Sequence, residues 1–273
     1  MQEIVHLPQN SSRYLPQHVT ARLPKRLEIL MIPVVLTAFV LIWELVIWLG
    51  DYPKFILPSP RDVGITFMRT LADGTVWHHA QATLFAVFAG LGLGLTTALV
   101  LGYLLAKSRL LERVLSPYIV ASQSVPVVAI APLLIIWFGS GYLSKVLICA
   151  LIVFFPALVS TIVGLRSVDE DLKDLMRSLK ANRWQFFTLL EVPAALPVLL
   201  GGLKVSVTLS VVGAVVGEFV GADRGLGFLI NQARGLFNTP LVFVAILSLV
   251  IIAVSLYGSV ALLEKRLLHW RKG

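Results

Sequence analysis

With 273 residues, 57% of them hydrophobic and only 14% charged, this chain carries more apolar surface than one water-soluble domain can bury. The lipid bilayer is its natural solvent. A net charge of +8 raises nucleic acid as a partner, but the basic residues sit at the ends of apolar runs rather than along one stripe, which argues against it. The single cysteine, Cys149, excludes an intrachain disulfide and a thiolate metal site.

A helix needs about 20 largely apolar residues to cross a membrane. Residues 1–27, with Pro8, Pro16 and Pro24, lack apolar periodicity and read as an N-terminal tail. The apolar run 28–49 is too long for the core of a signal peptide and no small-x-small cleavage site follows, so it reads as an uncleaved first span. Asp51–His79 follows it. Pro53, Pro58 and Pro60 predict an extended entry, and Val63, Ile65, Phe67, Met68 and Leu71 a short interfacial helix. That segment is either a structural plug or a contact for an external partner.

Further spans are predicted over 80–106, 116–138, 145–165, 195–220 and 241–263, which gives an all-α polytopic membrane protein with six transmembrane helices. The third is interrupted by Pro126 and Pro132, and such breaks often line a pathway. Gly90, Gly92 and Gly94 in the second span, and Gly213, Gly217 and Gly221 in the fifth, allow close helix approach. Residues 221–240, with Gly221, Gly225, Gly227 and Gly235 among polar side chains, read as a turn-rich external loop. The domain reading is therefore a tail (1–27), a first helix with its external segment (28–79), a core (80–263) containing a charged loop (166–193), and a C-terminal tail (264–273).

Lysines and arginines fix the expected orientation. Sixteen fall on the side of the N-terminal tail, the 107–113 turn, the 166–193 loop and the C-terminus, against six on the other side. The positive-inside rule places both termini and the loop in the cytoplasm. Glu44, Lys204 and Glu218 lie within spans, where a mid-bilayer charge costs roughly 2.5–3.5 kcal/mol. Glu44 and Glu218 are near the external ends, so hydration or a structural hydrogen bond accounts for them. Lys204 lies deeper, and either snorkels or faces a path.

Chemical motifs are absent from the sequence. No GxxxxGK[ST], HExxH or CxxC occurs, and adjacent His78 and His79 point in different directions on a helix and make poor co-ligands. The chain is expected to be a non-enzyme without cofactor or metal.

The segment Asp174–Pro197 is the most informative one. Leu175, Leu179, Trp184, Phe186 and Phe187 alternate with Arg177, Lys180, Arg183 and Gln185, an amphipathic pattern that either lies in the headgroups or is gripped by something in the water. Its order resembles the cytoplasmic "EAA" loop of ABC-importer permeases, in which Glu-Ala-Ala is followed by a glycine and later by an aliphatic residue and Leu-Pro. Asp174 takes the glutamate position, Leu175 and Met176 replace the alanines, and Lys180 replaces the glycine, while Ala181, Arg183, Trp184, Phe186, Val192, Pro193 and Pro197 keep the family's spacing. The runs Leu57-Pro58-Ser59-Pro60, Ala131-Pro132-Leu133-Leu134, Trp137-Phe138-Gly139, Ser144-Lys145, Phe154-Phe155-Pro156, Gly202-Leu203-Lys204, and Glu218 with Gly225-Leu226-Gly227 resemble the nitrate/sulfonate/taurine branch. That branch also includes riboflavin and thiamine-precursor carriers.

The resemblance implies the permease subunit of a type I (MetI-like) ABC importer in the bacterial inner membrane. It implies a homodimer, two ATPase subunits that hold ATP and Mg, and an external substrate-binding protein. It also implies that Asp174, Arg177, Ser178, Leu179, Lys180, Ala181 and Trp184 couple to the ATPase, and that Ser122, Gln123, Ser124, Lys204 and Glu218 are candidates for lining the path. The solute it implies is a small anion of the nitrate, sulfonate or taurine kind, or a vitamin-related compound. Two rivals stand beside this reading. An ATP-independent carrier or channel should show inverted repeats, of which none is clear, and an intramembrane enzyme should show a catalytic pair inside its spans.

Overall fold

The computed structural model describes residues 25–269 and contains no strand among them. Five of its helices are long and apolar enough to cross a membrane, six if one sharply bent pair is counted as a span. The chain divides into two units at the end of the first helix.

The first unit contributes α1 (Lys25–Gly50), whose Pro33 lies inside the helix and whose Phe39 and Trp43 rings approach to 6.1 Å. It covers the first expected span.

The second unit opens with α2 (Pro60–Ala72). Ser59 caps it by accepting from the Asp62 N–H, and Pro60 takes the first helical position, where its missing N–H costs nothing. The expected interfacial helix is present, with Ile65, Met68 and Leu71 exposed. Next come α3 (Thr75–Lys107), α4 (Arg109–Gln123), α5 (Val127–Phe138) and α6 (Tyr142–Arg166). The short α7 (Glu170–Ser178) and α8 (Arg183–Phe186) follow, then a π-helical turn (Phe187–Glu191), α9 (Val192–Gly221), α10 (Leu226–Gly235) and α11 (Thr239–Leu267).

α6 is the centre of this unit and packs most extensively against α3 and α9. Small residues make that possible. A Cβ on Gly94 would lie 2.7 Å from the Ala150 carbonyl oxygen, and one on Gly213 would lie 2.8 Å from the Cys149 Cα, so both positions need glycine for the backbones to meet. Cys149, fully buried between α3 and α9, sends its thiol to the Ser210 carbonyl at 3.3 Å. In lipid, where helices gain little hydrophobic drive from meeting one another, such close packing supplies much of the association energy.

The interrupted third span expected over 116–138 is present as a sharply bent helix pair. α4 begins at Arg109, and it meets α5 at an angle of 91° across Ser124–Pro126. Pro126 has no N–H to continue α4 and becomes the N-cap of α5, whereas Pro117 and Pro132 are absorbed inside helices. At 15 and 12 residues, the two pieces are about 22 and 18 Å long, so neither crosses the hydrocarbon alone.

The 221–240 region is likewise not a plain loop, because α10 occupies ten of its residues. Leu226, Leu229, Ile230 and Ala233 carry a helical apolar period that its glycines and polar residues hide, and Leu226, Leu229 and Ala233 are buried. The boundary between the charged loop and the fifth span also dissolves. Arg183–Gly221 runs as one continuous helix through the π turn, which ends two residues before Pro193, a residue that cannot donate to the turn behind it.

Candidate functional site

Two polar constellations lie at opposite poles of the second unit. At one pole α3 and α6 end and the continuous 183–221 helix begins.

Here the chain builds an exposed knob. Asp169 caps α7 by accepting from the Asp171 N–H, and Glu170 and Asp171 complement the helix dipole. α7 then closes in a Schellman arrangement, with the Lys180 N–H on the Arg177 carbonyl at 2.9 Å and the Ala181 N–H on the Met176 carbonyl at 3.0 Å. Lys180 adopts φ +53°, a left-handed conformation that a glycine would take without strain. The lysine therefore preserves the turn at a local cost of about 1 kcal/mol. Asn182 and Gln185 form a reciprocal capping box that starts α8 at once.

These caps present Leu175, Leu179 and Trp184 to the surface, with Leu179 68% and Trp184 71% exposed. Asp174 and Arg177 pair at 2.7 Å on the exposed side of α7, and Ser178 and Lys180 are exposed beside them, with Ala181 half-buried. The structure thus brings the coupling candidates Asp174, Arg177, Ser178, Leu179, Lys180, Ala181 and Trp184 into one protruding turn.

Beneath the knob lies a latch that sequence reading missed. Lys107, counted there only as a topology charge, pairs with the 5% exposed Glu191 of the π turn and sits 5.5 and 5.4 Å from the Tyr103 and Phe186 ring centres. Phe187 meets Tyr103 edge-on at 5.5 Å. A second ion pair, Arg166 with Glu112, joins the end of α6 to α4. The knob is therefore fixed to α3 and to the base of α9, so a force on Trp184 reaches α9 through helix rather than through loose chain.

At the far pole three side chains capture the start of α10. The Gly225 N–H donates to His79 Nδ1 at 3.2 Å, the Leu226 N–H to Thr83 Oγ1 at 2.8 Å, and the Gly227 N–H to Glu218 Oε2 at 2.7 Å. Thr83 in turn donates to Glu218 Oε1 at 2.8 Å. These donors are otherwise orphaned at a helix N-terminus, and a carboxylate there complements the dipole. Gly225, at φ +129°, lies against the Glu218 carboxyl, where a Cβ would clash. Lys145, only 2% exposed, donates to the Arg224 carbonyl at 3.3 Å, 3.9 Å from Asp223. A cavity of about 280 Å³ beside this network is lined by His78, Phe85, Tyr142 and Arg224.

The remaining path candidates are spread apart. Ser122, Gln123 and Ser124 are exposed at the α4–α5 bend, where the Ser122 and Ser124 hydroxyls donate to the carbonyls of Tyr118 and Val120. Lys204 pairs with Glu264 of α11 and lies 5.9 Å from the Tyr257 ring centre, so its charge is compensated within the bundle. Glu218 belongs to the capture of α10.

Residues 90–269 match the family model described as "Binding-protein-dependent transport system inner membrane component". The riboflavin transport system permease protein RibX of Chloroflexus aurantiacus is 49% identical over 88% of this chain and 89% of its own. The formylaminopyrimidine transport permease protein ThiX of Halalkalibacterium halodurans is 37% identical over 85% of this chain and 92% of its own. Among solved structures, a chain of the MetNI methionine ABC transporter superposes with a TM-score of 0.60 at 20% identity, over 68% of this chain and 93% of that one. This last likeness shows a shared fold.

Proposed function

The chain belongs to the binding-protein-dependent transport system inner membrane components, and on that premise we propose that it works as a homodimer driven by two ATPase subunits through the Asp174–Trp184 turn. It is the membrane permease subunit of an ABC importer, a transport component rather than an enzyme, and its family works with an ATPase and a substrate-binding protein.

The observation that carries the coupling reading is the knob. It is an apolar and basic turn, built from caps on both sides and exposed at Leu179 and Trp184, at the head of a helix that continues into α9. An exposed aromatic ringed by arginines and a lysine is the composition of an interface hot spot. ATP and Mg reside on the ATPase. Closure of the ATPase pair pulls on Trp184, Leu179 and the Asp174–Arg177 pair. The continuous helix then carries the motion into the bundle, with Ser178, Lys180 and Ala181 shaping the turn. Both termini and the knob lie in the cytoplasm, a placement supported by the sixteen-to-six imbalance of lysine and arginine.

The path runs along the α4–α5 bend with Ser122, Gln123 and Ser124, while Lys204 and Glu218 sit at its sides as paired and hydrogen-bonded charges. The solute is a vitamin-related heteroaromatic compound of the riboflavin or thiamine-precursor kind rather than a small sulfonate. The 49% identity to a riboflavin permease supports this, as does the aromatic pair Phe85 and Tyr142, 5.0 Å apart, beside the far-pole cavity.

Proteoliposomes carrying the chain, its ATPase and its binding protein test the reading. ATP-dependent uptake of riboflavin or formylaminopyrimidine, unaffected by excess taurine, is expected. Uptake of taurine alone would contradict the solute assignment and leave the coupling mechanism standing.

A further inference from the structure

We propose that the knob pole holds a binding site for an anionic phospholipid, with the headgroup phosphodiester in the cavity between α4, the end of α6 and α7 and an acyl chain in the adjoining apolar groove. The cavity measures about 730 Å³, and six of its lining residues are cationic against three carboxylates. Each carboxylate has a cationic partner: Glu191 Oε1 pairs with Lys107, its Oε2 being buried without a partner, Glu112 pairs with Arg166, and Glu170 with Lys173. Arg177 turns to Asp174. Arg109 and Arg113 remain, with no carboxylate at ion-pair distance among the described residues. They stand four residues apart on the first turns of α4, on one face, at the positive end of a helix. Two guanidiniums at that spacing form a clamp for one phosphate.

The groove next to it supplies what a free anion has no use for. It encloses about 770 Å³ between α3, α6, α8 and the base of α9, and its walls include Val100, Leu104, Leu165, Phe187 and one side of the coupling residue Trp184. Leu165 lines both spaces, and the neighbouring Phe186 and Phe187 line one each. A charged cavity opening beside an apolar groove, at the end of membrane-spanning helices, has the polarity profile of a lipid lying at the interface. Basic pockets between transmembrane helices at such a level recruit acidic headgroups, and each arginine near the surface contributes about fivefold.

The proposal depends on the permease reading only for the leaflet, which becomes the inner one. Headgroup capture needs no ATPase, so the two readings fail separately. The direct test is native mass spectrometry of the full chain in detergent, titrated with phosphatidylglycerol, phosphatidylcholine, glycerophosphoglycerol or inorganic phosphate. Wild type is expected to retain phosphatidylglycerol over phosphatidylcholine. Arg109→Gln with Arg113→Gln should weaken that binding by about 30-fold, while ATPase co-purification stays unchanged. The chainless headgroup should bind at least about tenfold more weakly than the lipid. Equal retention of both lipids, or unchanged preference in the double variant, would overturn the site. Displacement of the lipid by equimolar phosphate would overturn the lipid as its ligand. Loss of the ATPase with phosphatidylglycerol still bound would assign the arginines to the protein interface instead.

Discussion

The two poles of this permease solve opposite problems with similar residue types. At the knob, charges and aromatics stand on the surface: Asp174 and Arg177 pair where water screens them, and Trp184 is 71% exposed. At the far pole, Glu218, Thr83 and Lys145 are all at most 2% exposed, and their polar atoms are spent on backbone groups of the 222–227 turn and on each other. A buried polar network of this kind is rigid, since breaking one bond leaves several groups unsatisfied in a low dielectric. An exposed, capped turn is instead a handle: its conformation is set locally while its contacts are left for a partner. Substitutions at one pole should therefore change folding, whereas replacing the contact side chains Asp174, Arg177 and Trp184 at the other should change assembly and drive.

The largest effect is expected at the far pole. Glu218→Ala strands the Gly227 N–H and leaves the Thr83 hydroxyl only its longer bond to the His79 carbonyl, and should lower the stability of the purified chain by about 3 kcal/mol, read as a fall in thermal midpoint. Glu218→Gln keeps an acceptor and should lose much less. A comparable loss for both would mean that charge, rather than hydrogen bonding, holds α10. Gly213→Leu should cost about 1–3 kcal/mol by forcing a side chain against the Cys149 backbone, measured the same way.

At the knob the order of effects reverses. Trp184→Ala should leave the thermal midpoint within about 0.5 kcal/mol of wild type but weaken ATPase association about 30-fold, as loss of an interface anchor does. A large stability loss there would erase the distinction between handle and lock. Lys180→Gly should stabilise α7 by about 1 kcal/mol, because glycine takes φ +53° without penalty; amide exchange of the Ala181 N–H reports it. The smallest effect concerns α2. Lys54 and the Ser59 hydroxyl hold the Asp62 carboxyl below its ordinary 3.8, so its capping contribution is complete above 3.8 and is lost only as pH falls through the lowered value. Amide protection of α2 should thus be the same at neutral and mildly acidic pH.

Much of this was legible in the sequence, for definite reasons. Spans announce themselves by length and hydropathy, and the knob by an amphipathic run standing alone between apolar blocks. The Lys180 position was marked as a departure from the family glycine, and its backbone angle shows how the departure is absorbed. Three features were hidden because they depend on tertiary partners. The 91° bend uses Pro126 and not Pro132, and nothing local distinguishes the two prolines. α10 was masked by its glycines, although Leu226, Leu229, Ile230 and Ala233 carried its period. Lys107 and Lys145 counted as topology charges on opposite sides, until one proved to latch the knob and the other to lie buried beneath the Arg224 carbonyl.

The most direct measurement is co-purification of the tagged chain with its ATPase, comparing wild type with Asp174→Ala, Arg177→Ala and Trp184→Ala combined. A stoichiometric complex in wild type, lost in the triple variant while its thermal midpoint holds, is the expected result. A wild-type chain that never retains an ATPase, yet moves solute by itself when reconstituted, would contradict the account.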